Sequence, residues 1–110
     1  MAIGPGQRII ERVTSWPGIT TQTGRFGETE FRLRGREIGH VHGDHMADIP
    51  YPRRIRDELV AAGRVEPHHI NPDSGWTTHY IAADTDVDAI VDLIRINYDR
   101  VTARHPAPSD

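Results

Sequence analysis

The chain has 110 residues, 36% of them apolar and 26% charged; that builds one small domain and excludes a two-domain enzyme, a TIM barrel or a nucleotide-binding fold with an added substrate domain. It contains no cysteine, which excludes disulfides, thiolate zinc and iron–sulfur sites, and thiol nucleophiles. All 13 basic residues are arginine and 16 acids oppose them, for a net charge of −3; there is no lysine for a Schiff base or a P-loop, and the overall basic excess typical of nucleic-acid binders is missing.

Residues 1–6 carry two glycines and a proline and read as a flexible N-terminus. A helical stripe, Ile9, Ile10 and Val13, follows over Gln7–Ser15, and Trp16-Pro17-Gly18 breaks it. Ile19–Thr23 is β-branched and reads as a strand. Glu30–Leu33 and Arg36–His42 form a hairpin across an Arg34-Gly35 turn. In that register Phe31 faces Ile38, Arg32 faces Glu37 and Leu33 faces Arg36. Period two then predicts Phe31, Leu33, Ile38, His40 and His42 on one face, with Glu30, Arg32 and Glu37 on the other.

Gly43–Tyr51 reads as a loop. Pro52 suits a helix start and Gly63 its stop, with Ile55, Leu59 and Ala62 as the apolar stripe. Arg64–Ile70 reads as a short strand, Asn71–Gly75 as a turn, and Trp76–Ala82 as an alternating strand. The last helix is capped by Asp84 or Thr85, and Val87, Ile90, Val91, Ile94, Tyr98 and Val101 follow the 3.6-residue period. His105–Asp110, with two prolines, reads as a flexible tail. The expectation is therefore a single α+β domain over 7–104. It is a small antiparallel sheet with helices on one face, in the order α-β-β-β-α-β-β-α.

Seven histidines are present, three of them in His40-Val41-His42-Gly43-Asp44-His45. Histidines at i and i+2 on a strand point the same way, and a following Asp44 and His45 could close around an ion. Imidazole and carboxylate suit zinc, iron or manganese, so a divalent transition metal on His40, His42, Asp44 and His45 is one expectation. The string matches the H-x-H-x-D-H signature of metallo-β-lactamase-like hydrolases, but that fold needs about twice this length. The structural alternative is a buried polar cluster.

His68-His69 is a second pair, of which strand geometry lets only one join His40 and His42. His79 lies midway along the last strand. His40, His42, His68 and His79 are thus the candidates for acid–base or ligand roles near neutral pH. Asp44, Asp48, Trp76 and Arg36 are candidate ligand-binding residues. Either aspartate could instead cap a turn, and Trp76 could instead be core. Ser74 lies in the Asn71–Gly75 turn, but no nucleophile elbow surrounds it.

Trp16-Pro17-Gly18, Phe26-Gly27, Arg36-Glu37-Ile38-Gly39-His40, His42-Gly43-Asp44, Asp48-Ile49-Pro50-Tyr51-Pro52, Pro67-His68-His69 and Asp73-Ser74-Gly75-Trp76 together resemble the small bacterial "luciferase domain" proteins. The resemblance spans roughly residues 14–102. It implies that family's fold, and the label does not establish light emission; no flavin-binding motif is present. A looser resemblance, through Pro67-His68-His69-Ile70, Trp76–Ile81 and Asn97-Tyr98-Asp99, is to the MmcQ/YjbR-like proteins. It implies a small α+β sandwich associated with DNA binding, from which this chain departs in its negative charge and lack of lysine.

Three functions follow as expectations. The first is a small-molecule-binding domain, catalytic or not, with a pocket lined by His40, His42, Asp44, His68 and His79. The second is a nucleic-acid module using Arg32, Arg34 and Arg36 of the hairpin. The third is an interaction domain that pairs with a second copy through an uncovered sheet face. No apolar run approaches a membrane span and the N-terminus lacks a signal pattern, so the expected location is the cytoplasm.

Overall fold

The computed structural model describes residues 3–104; the expected tail at 105–110 lies outside the described residues. The elements are α1 (Pro5–Thr14), β1 (Ile19–Thr23), β2 (Thr29–Leu33), β3 (Arg36–His42), β4 (Met46–Pro50), α2 (Arg53–Ala61), β5 (Glu66–Pro67), β6 (Trp76–Tyr80) and α3 (Thr85–Arg104). The strands form one sheet in the order β1-β2-β3-β4-β6-β5, and every neighbouring pair is antiparallel. Ile9 and Val13 of α1 and the apolar stripe of α3 pack on Phe31, Leu33, Ile38, Val41, Ala47 and Ile49, forming the core on one sheet face. Each fully buried Val, Leu, Ile or Phe among them stabilises the fold by roughly 1.5–3 kcal/mol. No helix among the described residues is long and apolar enough to cross a membrane.

The α+β architecture and the hairpin are as the sequence predicts. Arg34 at φ 51° and Gly35 at φ 78° both take the left-handed conformation of a tight two-residue turn. The α3 residues Val87, Ile90, Val91, Ile94, Tyr98 and Val101 are all buried. Helix α3 is fastened to the rest of the domain by two phenols: Tyr51 donates to the Leu93 carbonyl at 2.6 Å, and Tyr98 to that of Pro17 at 2.7 Å.

Four expectations change. Helix α1 starts at Pro5, inside the segment expected to be flexible. Its N-cap is Gly4, which offers no side-chain oxygen, so the Asp44 carboxylate accepts the Gly6 N–H at 2.9 Å from across the chain. The expected loop at 43–51 contains β4. Ala47 and Ile49 point into the core there, while Asp48 points out, an alternation hidden by a charged residue and a terminal proline. The expected strand at 64–70 shrinks to Glu66–Pro67. Pro67 has no N–H to extend a ladder, and His68 Nδ1 then accepts the N–H groups of Ile70 and Asn71, turning the chain.

The fourth change sets the site. The β2–β3 register runs Leu33↔Arg36, Arg32↔Glu37, then shifts to Phe31↔Gly39 and Glu30↔His40. Ile38 is thus the extra residue of a β-bulge. It stays in the core, but His40 and His42 move to the opposite face, alongside Glu30 and Glu37. Gly39 takes φ 155°, a conformation essentially reserved for glycine. Asn97, fully buried on α3, donates from Nδ2 to the Ile38 carbonyl at 3.2 Å and to the Pro50 carbonyl. Helix α3 therefore supplies the polar partner that the bulge needs.

Candidate metal centre

Asp48 sits in mid-β4, paired with His40 on one side and Thr78 on the other. Its side chain is 1% exposed. Thr78 Oγ1 donates to Oδ1 at 2.7 Å, which fixes the carboxylate and leaves Oδ2 facing the histidines. Four imidazoles converge on Oδ2 through Nε2: His42 at 3.0 Å, His69 at 3.1 Å, His40 at 3.2 Å and His68 at 3.4 Å. The strand-geometry expectation that only one of His68 and His69 could join fails because both have left the strand.

Each histidine is held differently. His40 lies between two carboxylates, with Nδ1 2.6 Å from Glu37 and Nε2 on Asp48. Burial works against its charged form, but the hydrogen bonds to Asp48 and Glu37 and their negative charges outweigh that and push it up to about 9. Burial opposes ionisation of Asp48 too, yet the hydrogen bonds from His40, Thr78, His69 and His42 hold the carboxyl far below its ordinary range. Burial pushes His68 down, in keeping with a neutral ring whose Nδ1 is an acceptor. The Trp76 ring forms a wall, 5.2 Å from His40 and 6.0 Å from His68.

The donor atoms form two trios that share Asp48: His40, His42 and Asp48, and Asp48, His68 and His69. Within each trio the atoms lie within 4.8 Å of one another, so both have the residue types and spacing of a metal site. With metal–nitrogen and metal–oxygen bonds of about 2.0–2.2 Å, neighbouring donors in a tetrahedral or octahedral shell stand about 2.8–3.6 Å apart. The His–Asp48 distances fall inside that window. A carboxylate oxygen has two lone pairs, too few for four N–H donors, which is a second reason to place a cation here.

The cluster floors an open cleft of about 340 Å³ on the sheet face away from α1 and α3. Phe26 and Ile70 stand on its rim, 82% and 71% exposed. Arg25, Glu28 and Asn71 complete the mouth.

The remaining candidates lie elsewhere. Asp44 is exposed and caps α1, and His45 is exposed in the same turn; neither is in the trios. His79 neighbours Thr78 and so faces the other side of the sheet, where Nδ1 donates to the Arg64 carbonyl at 3.0 Å and Nε2 meets Asp86 at 3.1 Å. Arg36 pairs with Leu33 and is exposed on the core side of β3, away from the cleft. Arg32 faces the cleft side but is tied to Glu30 and to the Gly35 carbonyl. The hairpin arginines thus do not share one face. Sequence reasoning missed Glu37, His69, Thr78 and Asn97. Gly39 inside a strand, with apolar Ile38 and Val41 out of phase on either side of it, is the signal of the bulge that brings Glu37 and His40 together.

A family model described as a luciferase domain matches residues 35–97, more than half of the chain. The chain belongs to the luciferase-domain family. The matched stretch of this luciferase domain contains Glu37, His40, His42, Asp48, His68, His69 and Trp76, the whole of the cluster and its wall. No curated protein and no solved structure matches the chain. The looser likeness to the MmcQ/YjbR-like proteins gains no support from these comparisons.

Proposed function

We propose that this luciferase domain is a small-molecule-binding domain organised around a divalent transition metal held by His40, His42 and Asp48. The observation that carries the proposal is the convergence of imidazole Nε2 atoms on one oxygen of a buried, hydrogen-bonded carboxylate. Glu37 orients His40 through Nδ1, so Nε2 is the nitrogen offered to a metal. Two imidazoles and a carboxylate form a donor set used for non-haem iron and for catalytic zinc, and three protein ligands leave positions open to the cleft. Bound there, the metal would polarise an oxygen of the small molecule. Trp76 would pack against that molecule, while Phe26 and Ile70 would meet its apolar part. Light emission is not part of the proposal.

The nucleic-acid reading has less support, because Arg32 and Arg36 occupy opposite faces and Arg32 is already engaged. Metal content tests the main proposal. Untagged protein purified without chelator should carry, or take up, one equivalent of zinc, iron or manganese. His40→Ala with His42→Ala, and separately Asp48→Asn, should abolish it. Wild-type protein that ignores all three metals would sink the proposal.

A further inference from the structure

The second trio, Asp48, His68 and His69, has the residue types of a metal site, but its hydrogen bonds give it a different role. His68 Nδ1 accepts two backbone N–H groups, from Asn71 at 3.1 Å and Ile70 at 3.2 Å. A ring nitrogen that accepts hydrogen bonds carries no proton. A neutral His68 ring therefore keeps its proton on Nε2, and that nitrogen has no lone pair to give a metal. His40 is the opposite case, with its Nδ1 on Glu37. The two rings differ in which nitrogen is engaged at the back, so they differ in what they present to the cluster.

Donors also outnumber acceptors. Asp48 Oδ2 has two lone pairs, and a metal on His40 and His42 takes one of them. His69, at 3.1 Å, fills the other. His68 is the farthest of the four, at 3.4 Å, and its side chain is 11% exposed. Its Nε2–H then needs an acceptor from the cleft.

Resting on the metal reading above, we infer that His68 stands outside the metal shell as a fixed Nε2–H donor, forming an anion subsite that takes a carboxylate or similar anionic oxygen of the bound molecule. One oxygen of such a ligand reaches the metal and the other accepts from His68. The metal and Asp48 together carry a net positive charge of one, which Glu37 behind His40 balances, so the anion is drawn by the metal ion and the His68 N–H at close range and not by a net charge of the cluster. His68 is a positioning residue: it selects and orients the ligand and leaves the metal to the first trio.

Two measurements test this. In metal-free protein, nitrogen-15 NMR of the histidine rings should show His68 protonated on Nε2 and bare on Nδ1. A His68 ring protonated on Nδ1 overturns the inference whatever the metal does. In zinc-loaded protein, acetate is the probe, titrated by calorimetry. His68→Phe should keep one equivalent of zinc and lose roughly tenfold or more in acetate affinity, the scale of a hydrogen bond to a charged group. His68→Gln, whose amide N–H reaches a similar position, should stay within about threefold of wild type on the same scale. Loss of zinc in both variants would make His68 a ligand and overturn the inference, as would unchanged acetate affinity in His68→Phe. Failure of the wild-type protein to take up zinc overturns the metal reading instead, and the NMR result then stands on its own.

Discussion

Glu37 and His40 are three residues apart in one strand, yet Glu37 Oε2 lies 2.6 Å from His40 Nδ1. An unbroken strand would put them on opposite faces. The extra residue, Ile38, restores them to one face while keeping its own side chain in the core. The bulge is therefore what places an orienting carboxylate behind a metal-facing imidazole.

Glu37→Gln tests that arrangement. The amide can still accept from Nδ1–H, but it brings no charge to polarise the ring. Partners of this kind change metal affinity by about 10–100-fold, and a loss of about tenfold in zinc affinity is expected. One equivalent of zinc should still bind when the metal is in excess. Competition against a coloured chelator reads this directly. Unchanged affinity would mean that Glu37 serves the fold alone.

Gly39→Ala tests the bulge itself. A Cβ at this position would meet the Asp48 carbonyl and Ile94 at 3.5 Å, ordinary van der Waals contact, so crowding is not the problem. The φ of 155° is the obstacle: holding an alanine there costs about 1–3 kcal/mol. Urea unfolding should show that loss, and zinc affinity should fall with it because His40 shifts relative to Asp48. A variant as stable as wild type, with zinc affinity intact, would show that the strand tolerates another geometry at this position.

How much could be read from the sequence follows from the same bulge. Elements governed by simple periods were legible: the α3 stripe, the Arg34-Gly35 turn, and the inward alternation of β2. The histidines were legible as a group, and so was Asp48 as a possible neighbour. Their face was not, because one inserted residue inverts a period-two pattern, and its only apolar trace is that Ile38 and Val41, three apart, are both core residues. His69 is not legible because strand alternation does not hold in a segment that Pro67 has already released from the sheet. Asp44 looked like a ligand because it stands beside the histidines in sequence; in space it serves the N-terminus of α1.

The pH dependence of stability should change sign with metal. In metal-free protein His40 is raised from 6.5 to about 9. A raised histidine contributes stability that is complete below its unfolded value and lost as pH climbs to its folded one. Asp48 is shifted the other way, so its contribution is present above 3.8 and lost as pH falls below that. Between pH 6.5 and 9 the metal-free domain should therefore become steadily less stable. Zinc needs His40 without its Nε2 proton, so zinc-derived stability should grow over the same interval. Melting curves at pH 6.5 to 8.5, with chelator and with excess zinc, should slope in opposite directions. Parallel slopes would mean that His40 is not a ligand.

Phe26 and Ile70 raise a last question, since both are large, apolar and strongly exposed at the mouth of the cleft. Their exposure means the fold does not depend on them, and serine at either position should change stability by no more than about 0.5 kcal/mol. A ligand with an apolar body would cover them and gain about 25 cal/mol per Å² of apolar surface removed from water. Benzoate should therefore bind the zinc-loaded protein more tightly than acetate, by about threefold or more for 30 Å² or so of such surface. In the double variant Phe26→Ser with Ile70→Ser, acetate affinity should hold while the advantage of benzoate disappears. An advantage that survives the double variant would place the apolar contact on Trp76 alone, deeper in the cleft and against His40.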